Sequence, residues 1–228
     1  MLNGACRGDA SLRRNAAIDP LPKGAILSPP TCERSLAMAQ PSSQPSSLLE
    51  RLKEGAVICA EGYVFELERR GYLQAGAFVP EVVLEHPEAV TQLHRDFVHA
   101  GSDIVEALTY YAHREKLRVI GREQDLEPIN RRALELAKAV ANETGTLFAG
   151  DICNTNIYDP ADAASQKAVR AMFEEQVGWA LDAGVDFVIA ETFQFAGEAR
   201  IATEVIQEAG LASVVTLAIH RDPVTREG

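Results

Sequence analysis

Residues 184–193 read "GVDFVIAETF". Asp186 precedes an apolar run from Phe187 to Ala190, and a second acid, Glu191, closes it. An ionised Glu is costly to bury unless it has partners or is wanted for chemistry. Residues 101–107, "GSDIVEA", repeat the plan: a small residue, Asp103, an apolar run, then Glu106. Both runs are short and continuously apolar, as strands covered on two faces should be.

Working outward, five stretches of this type stand along the chain: "AVICA" (56–60), "DIVEALTY" (103–110), "TLFAGDI" (146–152), "DFVIAETF" (186–193) and "SVVTLAI" (213–219). Between them lie helical patterns. In "SQKAVRAMFEEQVGWALDAG", Val169, Met172, Phe173, Val177, Ala180 and Leu181 form one stripe. Ser165 is the expected N-cap and Gly184 the expected stop. "EPINRRALELAKAVANETG", "PEAVTQLHRDFVHAG" and "AGEARIATEVIQEAG" follow the same plan. Three helices end in Ala-Gly, at 100–101, 183–184 and 209–210, shortly before the next strand. Strand after helix after strand implies a parallel sheet, either a (β/α) barrel or an open doubly wound sheet.

Composition sets the outer bounds. The chain has 228 residues, is 46% hydrophobic and 24% charged, and carries a net charge of −11. That charge, with no Lys/Arg cluster on one face, excludes a nucleic-acid binder and disfavours anionic membranes. No apolar run is long enough to span a bilayer. Cys6, Cys32, Cys59 and Cys153 lack CxxC spacing and read as free thiols in a reducing compartment. Residues 1–47 are Ser-, Pro- and Ala-rich, with five basic and three acidic side chains. They read as a disordered extension or a targeting segment, and residues 48–228 as the folded domain. The expected location is the cytoplasm, or a mitochondrion or plastid if 1–47 is a transit peptide.

Parallel architectures gather ligand groups at the C-terminal strand ends. Those ends hold Glu61 and Gly62; Thr109, Tyr110 and Tyr111; Asp151, Asn154, Thr155 and Asn156; Glu191, Thr192 and Phe193; and His220 and Asp222. An acidic rim can hold an ammonium group, and rings can face a cation. Structural roles compete with this. Glu191 could cap the helix that starts "AGEARIATE". Glu106, placed in mid-strand, fits a structural salt bridge or hydrogen bond. Tyr110 and Tyr111 alternate in direction, so at most one faces the rim.

The run "VICAEGYVFELERRGYLQAGAFVPEVVLEHPEAVTQLHRDFVHAGSDIVEALTYYAHREKL" resembles the start of betaine–homocysteine S-methyltransferases, and "DFVIAETF" resembles that family's fourth-strand motif. The resemblance runs from about Leu49 to Arg226. It implies an α/β fold of the (β/α)8 TIM barrel family, here truncated after about five βα units. It implies a zinc ion that binds the homocysteine thiol, and methyl transfer from betaine or a related onium donor to give methionine.

Carried over residue by residue, Glu191 stands where the family holds the amino group of homocysteine, with Glu61 and Thr192 beside it. Tyr111 and Phe78 stand at the methyl-donor pocket. The family's Asp at the end of the first strand is absent; Ala60, Glu61 and Gly62 occupy its motif. The family's three zinc cysteines belong to runs beyond Gly228. The resemblance therefore leads to no catalytic residue and no metal site in these 228 residues, and to an inactive fragment. The rival expectations are a non-catalytic half-barrel module that binds or dimerises, and a barrel lyase with His220 as base. A homo-oligomer is compatible with the first rival.

Overall fold

The computed structural model describes residues 47–73, 80–219 and 224–228. Residues 1–46 of the proposed extension, and also Phe78 and His220, lie outside them. Ser47 caps α1 (Leu48–Glu54) through a reciprocal capping box with Glu50.

After α1 come two short helices, α2 (Tyr63–Arg69) and α3 (Val82–Glu85), then α4 (Pro87–His99). The remainder alternates: β1 (Ile104–Glu106), α5 (Arg114–Val119), a 3-10 turn, α6 (Leu126–Thr144), β2 (Leu147–Cys153), α7 (Ala163–Ala183), β3 (Phe187–Phe193), α8 (Ala196–Glu208) and β4 (Ala212–Leu217). The strands are parallel and lie in the order β1-β2-β3-β4. Sequential order marks a singly wound sheet; a doubly wound one reverses direction at a switch point.

The five expected strands are reduced to four. "AVICA" contributes one parallel bridge, Cys59 to Ile104, at the outer edge of β1. Ile58 is 56% exposed, so this segment lacks the two-sided cover of a buried strand. The "DIVEALTY" strand ends at Glu106, which makes Glu106 a strand-tip residue and not a mid-strand one.

The repeated Asp pins the register. Asp186 Oδ2 accepts the backbone N–H of Phe148 at 2.8 Å, while Asp186 N–H donates to Phe148 O at 2.8 Å. Asp103 does the same one strand earlier, to Ile58, at 2.8 and 2.7 Å. In each case the preceding Ala-Gly joint places glycine in the left-handed region, with φ 110° at Gly101 and 77° at Gly184.

Strand alternation then sorts side chains to two faces. Val105, Phe148, Ile152, Val188 and Ala190 pack into the helical layer of α4, α6, α7 and α8, a core that includes Leu93, Val140, Phe173 and Ile206. Gly150 lets α7 approach β2, since a Cβ there would lie 3.0 Å from the Cβ of Ala180. On the opposite face, Ile104, Leu147, Ala149, Phe187 and Ile189 cluster with Leu48 of α1. The helix limits follow the sequence patterns closely. The exception is the α7 cap: Asp162 accepts from Ala164 N–H, while the expected cap Ser165 bonds the 157–159 loop instead.

Candidate functional site

The inner-face rows end in acids. Ile104 leads to Glu106, Leu147 and Ala149 to Asp151, and Phe187 and Ile189 to Glu191. A face that is apolar at its base is therefore acidic at its C-terminal rim. Glu61, from the loop before α2, joins these three around a cavity of about 250 Å³. Gly62, with φ 88°, turns the chain there and starts α2. Tyr63, Phe65, Tyr110 and Thr192 add to the wall, and among the described residues no Lys, Arg or His lines it.

One carboxylate oxygen from each of Glu106, Asp151 and Glu191 lies within 4.8 Å of the others. Two ionised carboxylates at that separation repel by about 3 kcal/mol at an effective dielectric near 20. Burial, then the charges of Glu191 and Glu61, hold the Glu106 carboxyl well above the usual carboxylate range. Burial, then Glu191 and Glu106, do the same to Asp151. Glu191, less deeply set, is pushed up to about 7 by burial and by Glu61. Glu106 makes no salt bridge among the described residues. Its Oε2 faces Cys59 Sγ at 3.8 Å, and Oε1 has no partner.

Two strand tips are tied together beside this cavity. Thr192 and Tyr111 both adopt left-handed backbone, φ 61° each. Such strain in non-glycine residues clusters at functional sites. Thr192 interrupts the strand alternation and turns Phe193 into the helical layer, where its ring meets Phe173 edge-on at 6.0 Å. The Thr192 hydroxyl meets Tyr110 Oη at 3.1 Å, accepts from Asn154 Nδ2 at 3.0 Å and donates to Glu191 O at 2.8 Å. It is thus engaged on three sides and holds the β3 tip in place.

Of the residues named from sequence, Glu191, Glu61 and Thr192 come together around one cavity. Glu191 does not cap α8, whose N-terminus has no side-chain cap. Tyr110, not Tyr111, lines the cavity. The Tyr111 ring packs on Tyr110 at 4.3 Å and carries the Lys116 ammonium 4.0 Å from its centroid. Phe78 lies outside the described residues. Sequence reasoning undervalued Glu106 and left Asp151 as one rim residue among many. The signal for Glu106 was its place in "GSDIVEA", where an acid closes an apolar run that follows Asp103, as Glu191 closes the longer run after Asp186 in "GVDFVIAE".

A zinc ion held by three thiolates does not fit the described residues. The thiols among them are Cys59, set beside Glu61 and Glu106, and Cys153, which is buried and accepts the Tyr111 N–H.

The homocysteine S-methyltransferase family matches residues 57–228. Betaine–homocysteine S-methyltransferase 1 of Xenopus tropicalis is 39% identical over 184 residues, which cover 78% of this chain and 45% of that protein. An S-methylmethionine–homocysteine S-methyltransferase of Pongo abelii is 37% identical over 183 residues, covering 78% and 48%. The chain spans about half the length of these curated relatives. Among solved structures, the metallated homocysteine methyltransferase MmuM from Escherichia coli superposes with a TM-score of 0.61 at 24% identity, covering 76% of this chain and 67% of that one. A parallel sheet in sequential order, carboxylates toward the C-terminal ends of β1, β2 and β3, and a sequence match over most of the chain converge on one assignment: the chain belongs to the homocysteine S-methyltransferase family.

Proposed function

We propose that this domain supplies the amino-acid-binding half of a (β/α)8-barrel methyltransferase that moves a methyl group from an onium donor to the thiol of homocysteine. The observation that carries the reading is the cavity, which gathers Glu61, Glu106, Asp151 and Glu191 with no cationic side chain among the described residues. A pocket of that charge favours a ligand with an ammonium group, and Glu191 at the β3 tip is positioned to accept from it. In the reaction the homocysteine sulfur forms a bond to the methyl carbon while the donor's bond to that carbon breaks. The donor leaves neutral with the electron pair, and the thiol proton passes to solvent. Positioning the two partners in line is the protein's main contribution. The relatives described above are named for betaine or for S-methylmethionine; for this chain the donor is of the betaine type, held against the Tyr110 and Phe65 rings. Calorimetric titration of L-homocysteine into the chain tests the reading. Binding should be measurable and should weaken about tenfold or more in Glu191→Gln. Undiminished affinity in that variant overturns it.

A second reading has an observation of its own. β4 pairs with β3 and leaves Val215 and Leu217 37% and 46% exposed. A self-associating half-barrel would cover them. Sedimentation analysis across a concentration series separates it from a monomeric binding domain.

A further inference from the structure

The acids around the cavity outnumber what one ammonium group needs. Glu106 and Asp151 are only 4% and 5% exposed, yet Glu106 Oε1 and Asp151 Oδ1 have no hydrogen-bond partner among the described residues. Buried polar oxygens are otherwise nearly always paired. One oxygen from each of Glu106, Asp151 and Glu191 lies within 4.8 Å of the others, and a second group, Cys59, Glu61 and Glu106, shares Glu106 at the same spacing. We propose that Glu106, Asp151 and Glu191 bind a hard divalent cation, of the magnesium, manganese or calcium class, at the base of the cavity.

Three lines of chemistry support that class of ligand. Carboxylate oxygens are the donors that hard cations prefer, whereas zinc and copper favour thiolate and imidazole. Oxygens within 4.8 Å of one another can share one ion through bonds of about 2.0–2.6 Å. The unpartnered oxygens of Glu106 and Asp151 are also closed to bulk solvent, so water from outside does not satisfy them. The ion takes one oxygen of Glu191; its other oxygen, with Glu61 on the open side of the cavity, remains for the amino acid.

The inference shares its cavity and Glu191 with the methyl-transfer reading, and the two are told apart by their variants, Asp151 and Glu106 for the ion and Glu191 for the amino acid. The test is titration of Mn²⁺ into the 228-residue chain, followed by the paramagnetic signal of the free ion. One Mn²⁺ should bind per chain, with Mg²⁺ or Ca²⁺ competing. Asp151→Asn and Glu106→Gln keep side-chain shape, and each should weaken binding about tenfold or more, while Glu175→Gln, at an exposed ion pair, should not. Paramagnetic broadening in the unaltered chain locates the ion even if a variant fails to fold; the amides of Ala107, Ile152 and Thr192 should broaden first. No binding at millimolar Mn²⁺, equal binding in both variants, or broadening centred elsewhere overturns the site. Homocysteine titration of Asp151→Asn in chelator keeps the two readings distinct, since the amino acid should still bind there.

Discussion

Asp186 and Phe148 grip each other twice, carboxylate to N–H and N–H to carbonyl, each at 2.8 Å. The same double contact joins Asp103 to Ile58. Parallel strands slip easily unless something fixes their register, and a slip of one residue would turn Glu191 away from the cavity. We expect Asp186→Ala to cost about 1–3 kcal/mol in denaturant unfolding, through loss of a charge-assisted bond to a buried backbone donor. Asp186→Asn, which keeps an acceptor oxygen, should cost less.

Glu106 and Asp151 set an unusual pH dependence. Their folded-state pKa values stand above the unfolded ones. Between the two values the native chain holds more protons than the unfolded chain, so stability falls as pH rises. Glu191, with a folded value of about 7, adds to the same trend. In chelator, stability should therefore still be falling as pH rises through about 7, where Glu191 ionises in the native chain and ordinary histidines have largely lost their protons. The double variant Glu106→Gln/Asp151→Asn should flatten that slope and be the more stable protein at pH 8. Chemical denaturation at fixed pH steps reads both.

The acid side belongs to two histidines. His94 is buried against Tyr63, whose hydroxyl meets Nδ1 at 3.1 Å, and burial lowers its pKa to about 3. Burial, with Lys116 nearby, lowers His113 to about 4. Both must stay neutral in the native state while they charge in the unfolded chain. Their contribution is complete above about pH 6.5 and is lost as pH falls toward 4 and 3. His94→Gln should make the acid limb shallower, at some cost in packing at neutral pH.

Gly150 tests the contact between sheet and helix. A methyl group there would press on Ala180 at 3.0 Å. We expect Gly150→Ala to destabilise by about 1–3 kcal/mol, and Gly150→Val by more, because the interior is already close-packed. Thermal unfolding, compared with the half-buried control Gly178→Ala, where an added Cβ meets nothing within 4 Å, isolates the effect.

What the sequence made readable was whatever repeats with a clear period. The stripe of Val169, Phe173 and Val177 located α7, and the Ala-Gly joints located three strand starts. The helices α2, α3 and α5 escaped because seven residues or fewer hold too little periodicity to separate from a loop. Asp162 and Ser165 are both good caps, and nothing local says that Ser165 is taken by the carbonyl of Ile157. Glu191 was legible because a strand-tip acid needs a reason. Glu106 likewise closes an apolar run, but its lack of a partner depends on what Asp151 and Glu191 bring from distant strands, and that is a property of the assembled sheet.

Sequential strand order also governs how the molecule is made. Each strand docks on the one synthesised just before it, so successive units can add to the growing edge as the nascent chain emerges from the ribosome. Loops closed early are short, which favours rapid folding. The acidic pocket follows a different timetable. It draws Glu61 from the loop before α2 and Glu191 from β3, so mutual repulsion among all of these acids arises only once β3 has docked on β2.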